Sequence, residues 1–207
     1  MDAVYDYNRK GIILMSLLKK SSRLVLGLAM LGAFSMPAQA ADTYKIDSSH
    51  TAVTWHINHF GFSTPSGKFM DIVGEVTLDQ DNPEKSSVEV TIPIALVNTG
   101  VAKLDEHLKG TDFFDVAQFP TATFVSDKVE VTGKDTAIVH GMLNLHGVQK
   151  PVALDVKVNQ IGQNMFKKQT AGFTASTTIK RSDFGMVTYL PGLGDEIKIE
   201  IESEANM

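Results

Sequence analysis

The chain has 207 residues, with 19 Lys+Arg, 24 Asp+Glu and no cysteine. Setting aside the five basic and two acidic residues of positions 1–40 leaves 14 Lys+Arg against 22 Asp+Glu, a net charge of −8. That balance excludes a basic nucleic-acid-binding face and a polybasic patch for anionic membranes. With no disulfide available, the fold rests on its core alone. The remaining ~167 residues suffice, since a domain of ~150 residues buries roughly 70% of its unfolded surface.

Positions 1–40 read as a targeting segment rather than as fold. Lys19, Lys20 and Arg23 precede the apolar run Leu24–Phe34, and Ala38-Gln39-Ala40 supplies an A-x-A cleavage site. The run is shorter than the ~20 residues a membrane-spanning helix needs. Cleavage after Ala40 is expected, and no stable membrane anchor. Asp2, Asp6 and two tyrosines ahead of the basic region point to Met15 as the start of translation. An A-x-A signal without a lipidated cysteine suits the bacterial periplasm.

From Ala41 to Met207 a period of two dominates, so one all-β domain is expected. The inward sets, in chain order, begin with Thr51, Val53, Trp55 and Ile57, then Ile72, Gly74, Val76 and Leu78. Val88, Val90, Ile92 and Ile94 follow, with shorter strands at Ala122–Ser126 and Lys128–Val131. Next come Ala137, Val139, Gly141, Leu143 and Leu145, and then Val152, Leu154, Val156 and Val158. Phe173, Ala175, Thr177 and Ile179 precede Ile197, Ile199 and Ile201. Turns are expected at Asp79–Pro83, Thr132–Asp135, His146–Pro151 and Gly162–Asn164. Glu75, Glu89, Asp155, Glu200 and Glu202 fall on the opposite, solvated face. One short helix is credible: Val101, Leu104 and Leu108 fall at i, i+3 and i+7 before Gly110, a C-cap residue. Eight or nine strands with one helix suit a closed antiparallel barrel, which has no edges; a sandwich is the alternative. An eight-stranded barrel is filled by side chains or holds one small ligand, and the pattern alone leaves both open.

The segment Leu104–Phe124 stands apart. It carries Phe113, Phe114, Phe119 and Phe124 among Lys109, Asp112 and Asp115. It reads as a helix end and a plug laid against something apolar, with the aspartates fixing the turn through backbone N–H groups. The histidines give no metal set: His50 and His56 share strand parity but lie roughly 20 Å apart when extended, and His140 with His146 has the same separation. No cysteine, G-x-S-x-G elbow, P-loop or G-x-G-x-x-G is present from Ala41 onward. No catalytic group, cofactor or metal is therefore assigned. Arg181 beside Asp183 is a candidate ion pair at a barrel rim, or a partner for the polar head of a ligand.

Taken in order, YKIDSSHTAVTWHINHFGFSTPSGKF (Tyr44–Phe69), HLKGTDFFDVAQFPTATF (His107–Phe124), GMLNLHGVQKPV (Gly141–Val152), IKRSDFGM (Ile179–Met186) and GDEIKIEIE (Gly194–Glu202) resemble the YceI family of lipocalin-like, polyisoprenoid-binding periplasmic proteins. His50, His59, Asp112, Phe113, Phe114, Pro120, His146, Gly147, Arg181, Asp183 and Gly185 match its usual positions; Asn144 stands where threonine is common. The resemblance implies an extended eight-stranded antiparallel barrel with an internal hydrophobic tunnel for an isoprenoid or other long-chain lipid. It also allows a homodimer. The tunnel lining or mouth would then be Val53, Trp55, Ile72, Val76, Val88, Val90, Ile92, Leu104, Leu108, Phe113, Phe114, Phe119, Val139, Leu143, Leu154, Val156, Phe173, Ala175, Arg181 and Asp183. The rival readings are an enzyme acting on a lipid or quinone through Asp183, Arg181 or His146, and a filled barrel serving as an interaction module.

Overall fold

A computed structural model describes residues 41–207; the expected signal segment and cleavage site lie outside the described residues. Alternating apolar residues build ten strands that occupy eight positions around a closed antiparallel barrel. Two positions hold a strand in two pieces. β1 (Asp42–Ile46) and β2 (Ala52–His59) lie in succession along one edge of the final strand, through Lys45↔Asn206, Ile46↔Ala205 and then Glu202↔Ala52 to Leu193↔His59. β3 (Ser66–Phe69) pairs with β2, and β4 (Val73–Leu78) pairs with β1. The wall continues through β5 (Ser87–Ile92), β6 (Ala122–Val131), β7 (Thr136–Leu145), β8 (Val148–Gln163), β9 (Gln169–Lys180) and β10 (Leu193–Asn206). The order β1-β4-β5-β6-β7-β8-β9-β10 closes by β10 pairing back to β1. The expected eight-stranded barrel with one helix is what forms, and the sandwich is excluded.

Local chemistry explains where the strands differ from expectation. The two short strands expected around Asp127 are one strand, β6, with a register shift between Ser126 and Lys128. A bulge of this kind adds a residue to one strand without ending it. The turn expected over His146–Pro151 is only His146-Gly147, both at positive φ (52° and 74°). That is the signature of a two-residue hairpin loop whose twist matches the strands. β8 restarts at Val148, and Pro151 sits inside it opposite Met142. Proline is tolerated there because β9 pairs with β8 only from Asp155 onward, leaving this stretch one unpaired edge. Ile72 is not a strand residue. It is buried in the break between β3 and β4, where Asp71 turns the chain at φ 55°.

The connection from β5 to β6 carries α1 (Ala102–Lys109), the one α-helix among the described residues. Asp105 ties its first turn to the incoming loop, accepting from Thr99 N (2.7 Å) and Thr99 Oγ1 (2.6 Å). Those two bonds hold its carboxyl below the usual range. Gly110 ends the helix in an extended conformation (φ −71°), not the left-handed one expected of a C-cap glycine. Lys68 and Asn98 exchange backbone bonds, so this connection also covers the open edge of β3.

Side chains fill the barrel unevenly. At the end formed by the start of β1, the ends of β4, β8 and β10 and the start of β9, Tyr44, Ala171 and Ala205 are fully buried, with Ile46, Leu78, Ile161 and Phe173 packed on them. Toward the middle, Val88, Val90, Val139, Leu154 and Val156 meet across the interior. At the other end, where α1 lies, the interior is hollow.

Candidate functional site

The hollow is a cavity of about 620 Å³, within the ~300–1,000 Å³ of small-molecule sites. Three parts of the chain make it. The strands contribute Val53, Trp55 and Ile57 from β2, Phe69 from β3, Ile92 from β5, Leu143 and Leu145 from β7, Ile179 from β9, and Leu193, Ile197 and Ile199 from β10. The β5–β6 connection lays Ile94, Leu104, His107, Leu108, Phe113 and Phe114 over it. His59, the last residue of β2, and the loops at the same end, with Phe60, Ser63, Pro65, Arg181, Met186 and Tyr189, complete it. Nearly all of this surface is carbon, and the polar side chains sit in the loops, in the helix and at the last residue of β2. Trp55, the chain's single tryptophan, lies across Gly67, where a Cβ would come within 2.3 Å of the indole. Its Nε1 is buried without a partner.

Among the residues expected to line a tunnel, Val53, Trp55, Ile92, Leu104, Leu108, Phe113, Phe114, Leu143 and Arg181 come together on this cavity. Val76, Val88, Val90, Val139, Leu154, Val156, Phe173 and Ala175 do not. They point inward as their parity requires but pack in the filled part of the barrel. A period of two identifies the inward face, not the height along the barrel at which packing stops. Ile72 lies in the strand break. Phe119 is outside the cavity, its ring against Gly147 and 4.9 Å from the His146 ring. His146 Nδ1 in turn meets Phe184 O at 2.9 Å, which makes Phe119, His146 and Gly147 one packing unit that seats the plug on the β7–β8 turn.

Arg181 and Asp183 form no ion pair. Arg181 is 4% exposed and donates to three backbone carbonyls: Gly194 O (2.8 Å) from Nε, Met186 O (2.8 Å) from Nη1 and Leu193 O (3.0 Å) from Nη2. Burial lowers its pKa, with the charge of Asp195 opposing. Asp183 is exposed. The acidic partner in this region is Asp195, which accepts from Ser182 N (2.9 Å) and Ser182 Oγ (2.8 Å). Arg181 fastens the turn after β9 to the start of β10, because a buried guanidinium needs acceptors and these backbone carbonyls supply them.

The expected aspartate caps also differ. Asp112 is exposed. Asp115, buried at φ 44°, fixes the turn mainly through its backbone carbonyl, which accepts from Gln118 N and Phe119 N (both 2.9 Å), while its side chain takes Gln118 Nε2 at 2.6 Å. The cavity residues that periodicity missed, His59, Phe60, Ser63, Pro65, His107, Met186 and Tyr189, lie at the end of β2, in loops or on a polar helix position. One polar cluster was also missed. Asp47, His50 and Glu204 bring their ligand atoms within 4.8 Å of one another, with His50 Nδ1 3.0 Å from Asp47 Oδ2. It joins the β1–β2 break to β10 on the outside of the barrel, and Glu204 is too far along the chain for spacing to reveal it.

The comparisons with known proteins agree with this architecture. The YceI-like domain model matches residues 44–205. A UPF0312 protein of Pseudomonas putida (strain W619) is 42% identical over 173 residues, 82% of this chain and 88% of the relative. The crystal structure of Burkholderia cenocepacia BcnA superposes with a TM-score of 0.71 at 26% identity, covering 77% of this chain and 99% of that one. A polyisoprenoid binding domain from Saccharophagus degradans shares the fold at a TM-score of 0.60 and 14% identity, over 79% of this chain and 97% of that one. An eight-position barrel, hollow at one end and roofed by the Phe113-Phe114 segment, together with a domain match across nearly all described residues, places this chain in the YceI-like family.

Proposed function

We propose that the protein is a non-catalytic periplasmic carrier of a long-chain amphiphile with an isoprenoid tail. The cavity supports this reading: it is large, almost wholly apolar and reached from one end of the barrel. Burying a methylene contributes ~0.8 kcal/mol, so a five-carbon isoprene unit contributes roughly 3–4 kcal/mol before costs. Association and ordering cost several kcal/mol, so two or three buried units already give useful affinity. Such binding selects tail length and shape. His59, Ser63, His107 and Tyr189, the polar groups at the loop end, would select the head. The polyisoprenoid binding domain of Saccharophagus degradans, a neighbour in fold, is consistent with this ligand class. Export is supported by the n-region, apolar run and A-x-A site of positions 1–40. A carrier rather than an enzyme is favoured because Ser63 bonds to neither cavity histidine through its side chain, and all three Arg181 nitrogens donate to backbone carbonyls.

Native mass spectrometry of the purified protein, before and after organic extraction, tests the proposal. A co-purified mass that extraction removes and identifies as tail-bearing is the expected result. An empty protein that also fails to take up a long-chain isoprenoid would sink it.

A further inference from the structure

The rim of the cavity carries apolar surface that the barrel does not use. Phe62, at the tip of the β2–β3 hairpin, is 90% exposed, and Phe60 two residues earlier is 48% exposed. Beside that hairpin, in the loop before β10, Val187 and Tyr189 are each 56% exposed. The two loops are joined: Phe60 N–H donates to Gly192 O at 3.1 Å, and the Phe60 ring rests where Gly192 lacks a Cβ. Tyr189 lies 6.2 Å from Phe113, between ring centroids, so the rim continues into the roof. Phe60 and Tyr189 both sit at positive φ (53° and 62°), a conformation bulky residues rarely adopt. For Phe60 the hairpin turn accounts for it, Gly61 following at φ 76° and Phe62 N–H donating to His59 O at 3.0 Å, and both rings are left half exposed.

We propose that this rim docks onto a lipid bilayer, seating the mouth of the cavity in the interfacial region so that an amphiphile passes between membrane and barrel without crossing water. The inference rests on the carrier reading. The occupant follows from continuity: Phe60 and Tyr189 belong at once to the exposed rim and to the cavity wall. Aromatic rings on exposed tips partition into the bilayer interface, tyrosine keeping its hydroxyl toward water. Charge fixes the mode. A net −8 over residues 41–207 repels anionic lipid, so docking is apolar and insensitive to salt.

The opposite end of the barrel supplies a control. Met165 and Phe166, at the tip of the β8–β9 hairpin, are 88% and 74% exposed but lie away from the mouth. The protein is purified in the form the cell leaves after export and floated with phosphatidylcholine vesicles. Ligand entry is followed separately, with farnesol as the probe and Trp55 fluorescence as the signal. The wild type is expected to float at low and high salt. Phe62→Ser/Val187→Ser, neither residue lining the cavity, should lower vesicle partition by about tenfold or more. Met165→Ser/Phe166→Ser should lower it less than twofold, and the farnesol response should persist in both variants. The docking proposal is overturned if the wild type does not float, if the two variants lose equally, or if flotation requires phosphatidylglycerol and disappears in salt. It is also overturned if the rim variant instead abolishes a dimer seen by size exclusion, which would make a second copy the occupant. A wild type whose Trp55 ignores farnesol would sink the carrier reading, while the flotation comparison still decides the rim.

Discussion

The two ends of the barrel are built from the same alternating strands and differ in what fills them. At one end small and large residues interlock: Ala171 and Ala205 make room for Tyr44, and all three are fully buried. Polar bonds strap this end, with Thr51 Oγ1 to Ser203 Oγ at 3.1 Å on the buried side, and Asn206 Nδ2 to Asp47 Oδ2 at 3.1 Å and Thr170 Oγ1 to Asn206 Oδ1 at 2.6 Å on the outside. At the other end the strands stop contributing enough volume. Loops and α1 close the space with Leu104, Leu108, Phe113 and Phe114, and a cavity remains. Stability and function are thus divided by height along one barrel. The filled end repays the ordering of the chain with close packing, and the hollow end gives up contacts to leave room.

That division predicts opposite outcomes for one chemical change. Val53→Trp places a large ring in the cavity wall of the hollow end. It should reduce uptake of an isoprenoid by tenfold or more, because displacing two methylenes of tail forfeits ~1.6 kcal/mol, and should shift the melting temperature little. Val156→Trp places the same ring where inward residues already meet. It should cost ~1–3 kcal/mol of stability through overpacking and leave uptake per folded molecule unchanged. Thermal melts paired with ligand titration read both. If both substitutions block uptake, the cavity extends the full length of the barrel and the division is wrong.

Much of the fold was legible because parity is a local property. Val53, Trp55, Leu143 and Leu154 all point inward as the alternation requires. The site was half legible, for the complementary reason. Whether an inward residue touches ligand space depends on which residues face it from strands far away in sequence, and alternation says nothing about that. Leu143 and Val139 have the same parity on β7, yet only Leu143 reaches the cavity. The family motifs include Phe113 and Phe114, expected at the tunnel lining or mouth, and both line the cavity. The motifs also include Phe119 and His146, whose work is to hold the roof down, and Arg181, whose charge serves three carbonyls. Phe60 and Tyr189 belong to loops, where no periodicity exists to be read, and His59 is the last residue of β2, where the alternation ends.

A smaller effect probes how the roof is anchored to the wall. Gly147 stands at φ 74°, and a Cβ there would lie 2.6 Å from the Phe119 ring. Gly147→Ala should therefore combine left-handed strain with a clash, costing about 1–3 kcal/mol. Because Phe119 fastens the plug over the hollow end, the loss should come with faster hydrogen exchange in Leu104–Phe124 than in β9 or β10. Uniform acceleration across the barrel would mean that roof and wall unfold as one unit.

The smallest expected effect belongs to the strap on the filled end. His50 is raised above its ordinary value of 6.5, first by its hydrogen bond to Asp47 and then by the charges of Asp47 and Glu204. Asp47 is lowered below 3.8, chiefly by the bond from His50. The histidine's contribution is complete below 6.5 and is lost as pH rises through its raised folded-state value. The aspartate's contribution is complete above 3.8 and is lost as pH falls through its lowered one. Their windows overlap between those limits. His50→Gln should consequently lower the melting temperature slightly at pH 5 to 6 and have no effect near pH 9, where the wild-type imidazole is neutral. The His50 side chain is exposed and Asp47 partly so, so screening keeps the difference small, and added salt should shrink it further. A penalty that persists unchanged at pH 9 would show that the neutral hydrogen bond at the β1–β2 break, not the charge, holds the strap.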